Sequence, residues 1–307
     1  MLILFIFLCL LAAAGLGGAW YAYRIAFYSP KKDRDKINPL EGEKFDRHVL
    51  EIYRLFQQLK DRSCEYVTVT SHDGLTLSGR YYHVEDGAPL DIGFHGYRSS
   101  SIRDFSGGSE MSLRMKHNLL LVDQRAHGKS QGRTIAFGIQ ERQDLLKWVD
   151  YAIDRFGSDV KILLYGVSMG ASTVLFASEL DLPENVKGII ADCPYASALE
   201  IILHVGRRKP IPSWLIRPFA ILGAKIFGGF DLMETDARKA VAHSRVPILI
   251  IHGEADGFVP QQMSDIAACN PEMVQRHLFP GADHGISYLE DPVRYQRIVS
   301  DFLERIL

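Results

Sequence analysis

The residues Gly166-Val167-Ser168-Met169-Gly170 set a serine between two glycines. They follow the apolar run Ile162-Leu163-Leu164-Tyr165 and precede Ala171-Ser172-Thr173-Val174-Leu175, which suits a helix. Strand, strained tight turn and helix form the context in which a serine hydroxyl is presented as a nucleophile. The flanking glycines leave room for neighbouring backbone, and a helix N-terminus then lies behind Ser168. A serine hydroxyl attacks only when a base takes its proton, and that base must be oriented by a third group. Of the eleven histidines, His284 in Gly281-Ala282-Asp283-His284-Gly285 is best placed, after the strand-like 275–279 and before the last helical pattern. The acid candidate is Asp256, in the loop after the apolar run Leu249-Ile250-Ile251. The chain order Ser168, Asp256, His284 is the one expected of three residues on successive strand ends. Asp192, in Asp192-Cys193-Pro194, and Glu254 are the alternative acids. His95-Gly96-Tyr97 follows a strand-like segment and completes the set. The backbone N–H groups of Tyr97 and Met169 are assigned as an oxyanion hole, donors aimed at charge that exists only in the transition state. His95 itself reads as structural.

Positioning these residues requires a regular scaffold. Segments 65–70 and 75–83 alternate apolar and polar residues around Asp73-Gly74, a hairpin signal. Segments 89–94, 117–122, 160–165, 186–191 and 246–251 are short apolar runs that suit buried strands. Between them lie helical patterns, including 142–156 and a last helix begun by Pro292 and capped by Asp291. A hairpin followed by alternating strands and helices implies a mostly parallel sheet with helices on both faces. The stretch at about 195–236 breaks the rhythm with Arg207-Arg208-Lys209, three prolines and an apolar run from Trp214 to Phe227. It reads as a short helical cap over the strand ends, and substrate identity is expected to lie there.

The N-terminus carries no charge from Leu2 to Tyr23, a run of about 22 residues. At ~1.5 Å per residue such a helix just exceeds the ~30 Å hydrocarbon thickness of a bilayer. Trp20, Tyr21, Tyr23 and Tyr28 cluster at its far end, followed by Arg24, Lys31, Lys32, Arg34 and Lys36. Aromatic rings at the headgroup level and basic residues beyond them describe an uncleaved anchor with the bulk of the chain in the cytoplasm. A cleavable signal peptide is the rival, with Ala12-Ala13-Ala14 as small residues, although no Lys or Arg precedes the apolar run. The expected organisation is therefore an anchor at 1–24, a basic juxtamembrane linker and helix at 25–64, and a catalytic domain at 65–307. Within the linker, 41–59 is charged and helical in pattern.

Composition narrows the function classes. The chain has 307 residues, 47% of them hydrophobic, with 35 Lys+Arg against 37 Asp+Glu. Disordered and low-complexity proteins are excluded, and no nucleic-acid partner is expected of so balanced a charge. The four cysteines are dispersed, no H-E-x-x-H occurs, and no metal or organic cofactor is called for.

Together, His95-Gly96, the run Asp123-Gln124-Arg125-Ala126-His127-Gly128-Lys129-Ser130, the Ser168 turn, the Asp256 loop and 281–285 resemble the α/β-hydrolase superfamily. The resemblance is to its serine hydrolases, including prolyl-aminopeptidase-like peptidases, monoglyceride-lipase-like esterases and membrane-anchored depalmitoylases. It implies that 123–130 is architectural and His127 structural; Ala126 stands where glycine is usual. It implies a membrane-anchored hydrolase of ester or thioester bonds in lipophilic acyl substrates, acting through Ser168, His284 and Asp256. A peptidase or amidase of the same fold, and a membrane-tethered binding protein without turnover, are the alternatives. Oligomeric state is left open.

Overall fold

The computed structural model describes residues 1–30, 48–208 and 211–307. Its centre is an eight-stranded sheet in the order β1-β2-β4-β3-β5-β6-β7-β8. The strands are β1 (Glu65–Thr70), β2 (Thr76–Tyr82), β3 (Leu90–Phe94), β4 (Asn118–Asp123), β5 (Ile162–Val167), β6 (Val186–Asp192), β7 (Ile248–Gly253) and β8 (Val274–Phe279). Only β2 runs against both of its neighbours; β4, β3, β5, β6, β7 and β8 are parallel in sequence across the sheet. The central strands β3, β4 and β7 are buried along their whole length. That is why β4 and β7 read as near-continuous apolar runs, whereas the edge strand β1 alternates; in β3 the buried Asp91 is paired with His117 Nδ1 at 2.9 Å.

Both faces are covered, as a parallel sheet requires. One face packs Leu145, Trp148, Val149 and Ala152 of α4 (Glu141–Phe156) and the wholly buried α5 (Met169–Ala177). The other packs Phe56 and Leu59 of α2 (Val49–Asp61), Ile102, Phe105 and Met111 of α3 (Ser101–Arg114), and Tyr295 to Leu303 of α10 (Pro292–Ile306). Asp291 caps α10 by accepting the Arg294 N–H at 3.0 Å. The expected helix at 41–59 is present from Val49; 41–47 lie outside the described residues, as do Lys31, Lys32, Arg34, Lys36, Lys209 and Pro210.

The region 195–236 holds α6 (Ala198–Gly206) and α7 (Ser213–Gly223), with a wider π-helical turn at Ala224–Gly228. After it come α8 (Ala237–Ala242) and, beyond β8, α9 (Ser287–Glu290).

The apolar N-terminal segment forms α1 (Leu2–Ala22), continued by a π-helical turn over Tyr23–Phe27. It is long and apolar enough to cross a membrane, with most of its surface exposed. Its last turns pack against α7. A Cβ on Gly18 would lie 2.5 Å from the Phe219 ring, and one on Gly223 2.6 Å from the Ala19 carbonyl, so both positions need glycine for this approach. The pairs Gly18–Phe219 and Tyr23–Phe227 show that the two helices run in the same direction.

Here the structure departs from the expected linker at 25–64. Phe27 is fully buried, edge-on to Phe137 and Phe230 at 5.7 and 5.4 Å between ring centres. Its carbonyl accepts the Ile135 N–H at 2.7 Å, and Ser29 donates to the Arg133 carbonyl at 2.8 Å. Residues 23–29 therefore belong to the catalytic domain. Phe27 continues the aromatic and apolar run that ends the N-terminal helix, so nothing in its spacing sets it apart as a residue of the sheet domain.

Candidate active site

Ser168 sits where β5 turns into α5, with φ +56° and ψ −114°. A non-glycine residue held in that conformation is strained, and its neighbours over-determine it. A Cβ at Gly170 would lie 1.7 Å from the Phe94 carbonyl oxygen, and one at Gly166 2.2 Å from the Gly170 oxygen. Only glycine fits either site. The Ser168 N–H donates to the Asp192 carbonyl at 2.8 Å, tying the turn to β6. Met169 opens α5, so its N–H points out of the helix N-terminus beside the serine.

The loops after β7 and β8 meet at Ser168. His284 Nε2 is 2.9 Å from Ser168 Oγ, and its Nδ1 is 2.8 Å from Asp256 Oδ2. Asp256 Oδ1 accepts the Phe258 and Val259 N–H groups, each at 2.8 Å. Burial pushes the Asp256 carboxyl up, but hydrogen bonds from His252 and His284, the His284 charge and the Val259 N–H outweigh it. The group is held well below the usual carboxylate range. Of the alternative acids, Glu254 is exposed. Asp192 points to the other side of the site, accepting the Tyr295 hydroxyl at 3.0 Å, and burial pushes it up to about 6.

Two contributors carry no motif. His252 Nε2 lies 3.1 Å from the same Asp256 oxygen that faces His284, and 2.9 Å from the Val259 carbonyl. Asp283 Oδ1 accepts both the Gly257 and the His284 N–H groups at 2.8 Å, clamping the two loops together. The spacing His252 to Asp256 across a tight turn was the available signal for the first; the second is a contact over 26 residues and left none.

Gly96 approaches the serine closely: a Cβ there would lie 3.3 Å from Ser168 Cβ. Its N–H donates to Asp104 Oδ2 at 2.6 Å, and the next turn is fixed by the Arg98 N–H on His127 Nε2 at 2.9 Å. His95 bonds the Gly96 carbonyl through Nδ1 and accepts the Gln124 N–H on Nε2, at 2.8 and 3.1 Å. The 123–130 run is tied internally. Asp123 accepts the Lys129 N–H at 3.0 Å, and Arg125 forks onto Asp144 at 2.6 and 2.7 Å. Ala126 adopts φ +63°, which explains why glycine is usual there.

A cavity of about 290 Å³ opens beside Ser168 and His284. Ile52 and Leu55 of α2, Phe105 of α3, and Tyr288 and Leu289 of α9 form its apolar wall. None of the residues that line it comes from 195–236. Among the described residues, this cavity thus lies outside the cap, where substrate identity was expected. Of the cap helices, α7 packs on α1. Among the described residues, two groupings are dense enough for a metal ion. Cys193, Asp256 and His284 are part of the serine network, and His72, Asp73 and Asp144 surround the Arg125 guanidinium.

The model of the alpha/beta hydrolase fold family matches residues 109–232, across β4, Ser168 and the cap helices. The chain has the α/β-hydrolase fold. The uncharacterized protein YqkD of Bacillus subtilis is 25% identical to this chain over 293 residues, 94% of this chain and 92% of its own. The thiohydrolase aneE of Aspergillus aculeatus is 30% identical over 137 residues, 44% of this chain and 42% of its own. Among solved structures, the esterase Pf2001 of Pyrococcus furiosus aligns with a TM-score of 0.64 at 23% identity. That alignment covers 81% of this chain and 93% of the esterase.

Proposed function

We propose that this hydrolase is a membrane-anchored serine esterase or thioesterase whose substrate carries a lipophilic acyl group. The observation that carries the reading is the unbroken line from Ser168 Oγ through the His284 ring to Asp256, at 2.9 and 2.8 Å. In the proposed reaction His284 takes the Ser168 proton as Oγ attacks the acyl carbonyl. The oxyanion is received by the Tyr97 and Met169 N–H groups, and Asp256 holds the ring and stabilises its positive charge. His284 then protonates the leaving alcohol or thiol, and water repeats the sequence on the acyl-enzyme. The apolar wall of the cavity favours an acyl chain, and an esterase and a thiohydrolase are among the similar proteins. The length and charge-free surface of α1 favour an anchor over a cleaved leader, and Arg24 at its end favours a cytoplasmic domain.

Fluorophosphonate labelling of the full chain in detergent tests this, with the modified peptide mapped by mass spectrometry. Label on Ser168 that vanishes in Ser168→Ala is the expected result. A folded protein that takes no label overturns the serine reading.

A further inference from the structure

A helix end leaves its last carbonyls without partners, and leaving them unpaired in an apolar setting is costly. The π-helical turn after α1 closes with the Tyr28 N–H on the Tyr23 carbonyl at 2.9 Å, which leaves the carbonyls of Ile25, Ala26 and Tyr28 facing outward. Their partners are the side chains of the residues that follow Gly96. The Tyr97 hydroxyl donates to Ala26 at 2.7 Å, and Arg98 Nη2 donates to Ile25 and to Tyr28, each at 2.8 Å. Arg98 also brings a cation to the negative end of the helix.

We infer that residues 23–29 are a strap that fixes the oxyanion loop, with Tyr97, Arg98 and Phe27 as positioning residues for hydrolysis. This rests on the reading of the Tyr97 N–H as an oxyanion donor. The strap is itself immobile. Phe27 is sealed between Phe137 and Phe230, the Tyr23 hydroxyl meets Thr134 Oγ1 at 2.9 Å, and residues 27 and 29 are laced to 133–135 by backbone hydrogen bonds. The Tyr97 ring packs on Phe137 at 4.9 Å, so loop and strap share one aromatic ring between them. From the other side the loop is held by Asp104 and His127. Arg98 itself sits at φ +51°, a conformation that needs such support. An oxyanion donor acts only within a few tenths of an ångström of its position, and a displacement of about 1 Å costs ~100-fold in rate. The membrane-facing helix and the catalytic centre are therefore one mechanical unit. A chain cut after Ser29 would lose the clamp.

The test uses the full chain in detergent micelles with a short, soluble p-nitrophenyl ester, so that partition into the micelle does not enter. Tyr97→Phe keeps the ring and removes the donor; Arg98→Gln removes the cation; Arg98→Lys restores it. Tyr97→Phe and Arg98→Gln are expected to lower kcat by about 5- to 20-fold with KM within twofold, and Arg98→Lys to recover part of the loss. Phe27→Leu loosens the strap from its pocket. Combined with Tyr97→Phe it should lose no more than the worse single variant, because both act through one contact. Unchanged kcat in both loop variants, a lowered melting temperature at full kcat, or strictly multiplicative losses in the double variant would each overturn the strap. Arg98 is only half-buried, so its variants read out even where Tyr97→Phe folds poorly. Ser168→Ala is run in parallel. If it stays active, the serine reading fails; if it is dead while the loop variants are normal, only the strap fails.

Discussion

On one flank of Ser168, α2, α3 and α9 enclose the cavity with side chains that are buried or half-buried. On the other, α7 and the turn after it pack on α1 and turn apolar side chains outward. Trp214, Leu222 and Ile226, spaced by eight and four residues, are 76%, 41% and 50% exposed. A surface helix in water usually carries its apolar stripe inward, and here part of it is turned outward. The first flank is shaped to receive a group beside the nucleophile. The second reaches the centre only indirectly, through the strap and through Arg208, which donates to the Gly257 carbonyl in the Asp256 loop. If the proposed function holds, the first flank would select the acyl group and the second would attach the domain.

The largest effects belong to the seam between the flanks. Ser168→Ala and Asp256→Asn are each expected to lower kcat by about 10⁴-fold or more, read with a soluble ester. A loss of less than tenfold in either would remove the centre from which the two flanks are distinguished. Next comes the cavity wall. Ile52→Trp fills space beside Ser168 and should reduce kcat/KM for a long-chain ester at least tenfold relative to acetate, whereas Trp214→Ala should leave that ratio within twofold. Equal shifts in both variants would erase the proposed division of labour.

Smaller effects test the support of the seam. His252→Phe removes one hydrogen bond from the Asp256 carboxylate, and charge-assisted bonds contribute about 1.5–3 kcal/mol. A fall of about tenfold in kcat follows. An unchanged kcat would make His252 a packing residue. The effect at Asp192 is one of stability and leaves the two flanks untouched. Its folded pKa of about 6 exceeds the ~3.9 of an unfolded aspartate. Between those values only the folded state keeps the proton, so stability falls as pH rises through that window, by about 3 kcal/mol once complete. Asp192→Asn cannot ionise, so its stability relative to the natural protein should rise from pH 4 to pH 7. Urea denaturation at four pH values checks this, and a constant difference would refute it.

The sheet was legible because its central strands are buried on both faces and are written as near-continuous apolar runs. The Ser168 turn was legible because its two glycines answer clashes with backbone atoms a few residues or one strand away. The helix α3 was not legible. Its Ser106-Gly107-Gly108-Ser109 core has poor helix propensity, and the reason for the glycines is the Tyr288 ring, 2.8 Å from where a Cβ on Gly107 would stand. The cavity was misplaced for a related reason: an apolar cap suggests a pocket, but exposure, not hydrophobicity, decides which way such residues face.

The sequence by itself determined the order of the strands, the strained serine turn, and the loops that carry Asp256 and His284. Each depends on residue type and on neighbours close along the chain. Tertiary structure alone decided the second histidine on Asp256, the clamp by Asp283, the flank that holds the cavity, and the docking of residues 23–29 against Tyr97 and Arg98. Those are contacts between segments tens of residues apart. Their partners are often backbone carbonyls and N–H groups, which every residue possesses and no sequence pattern distinguishes.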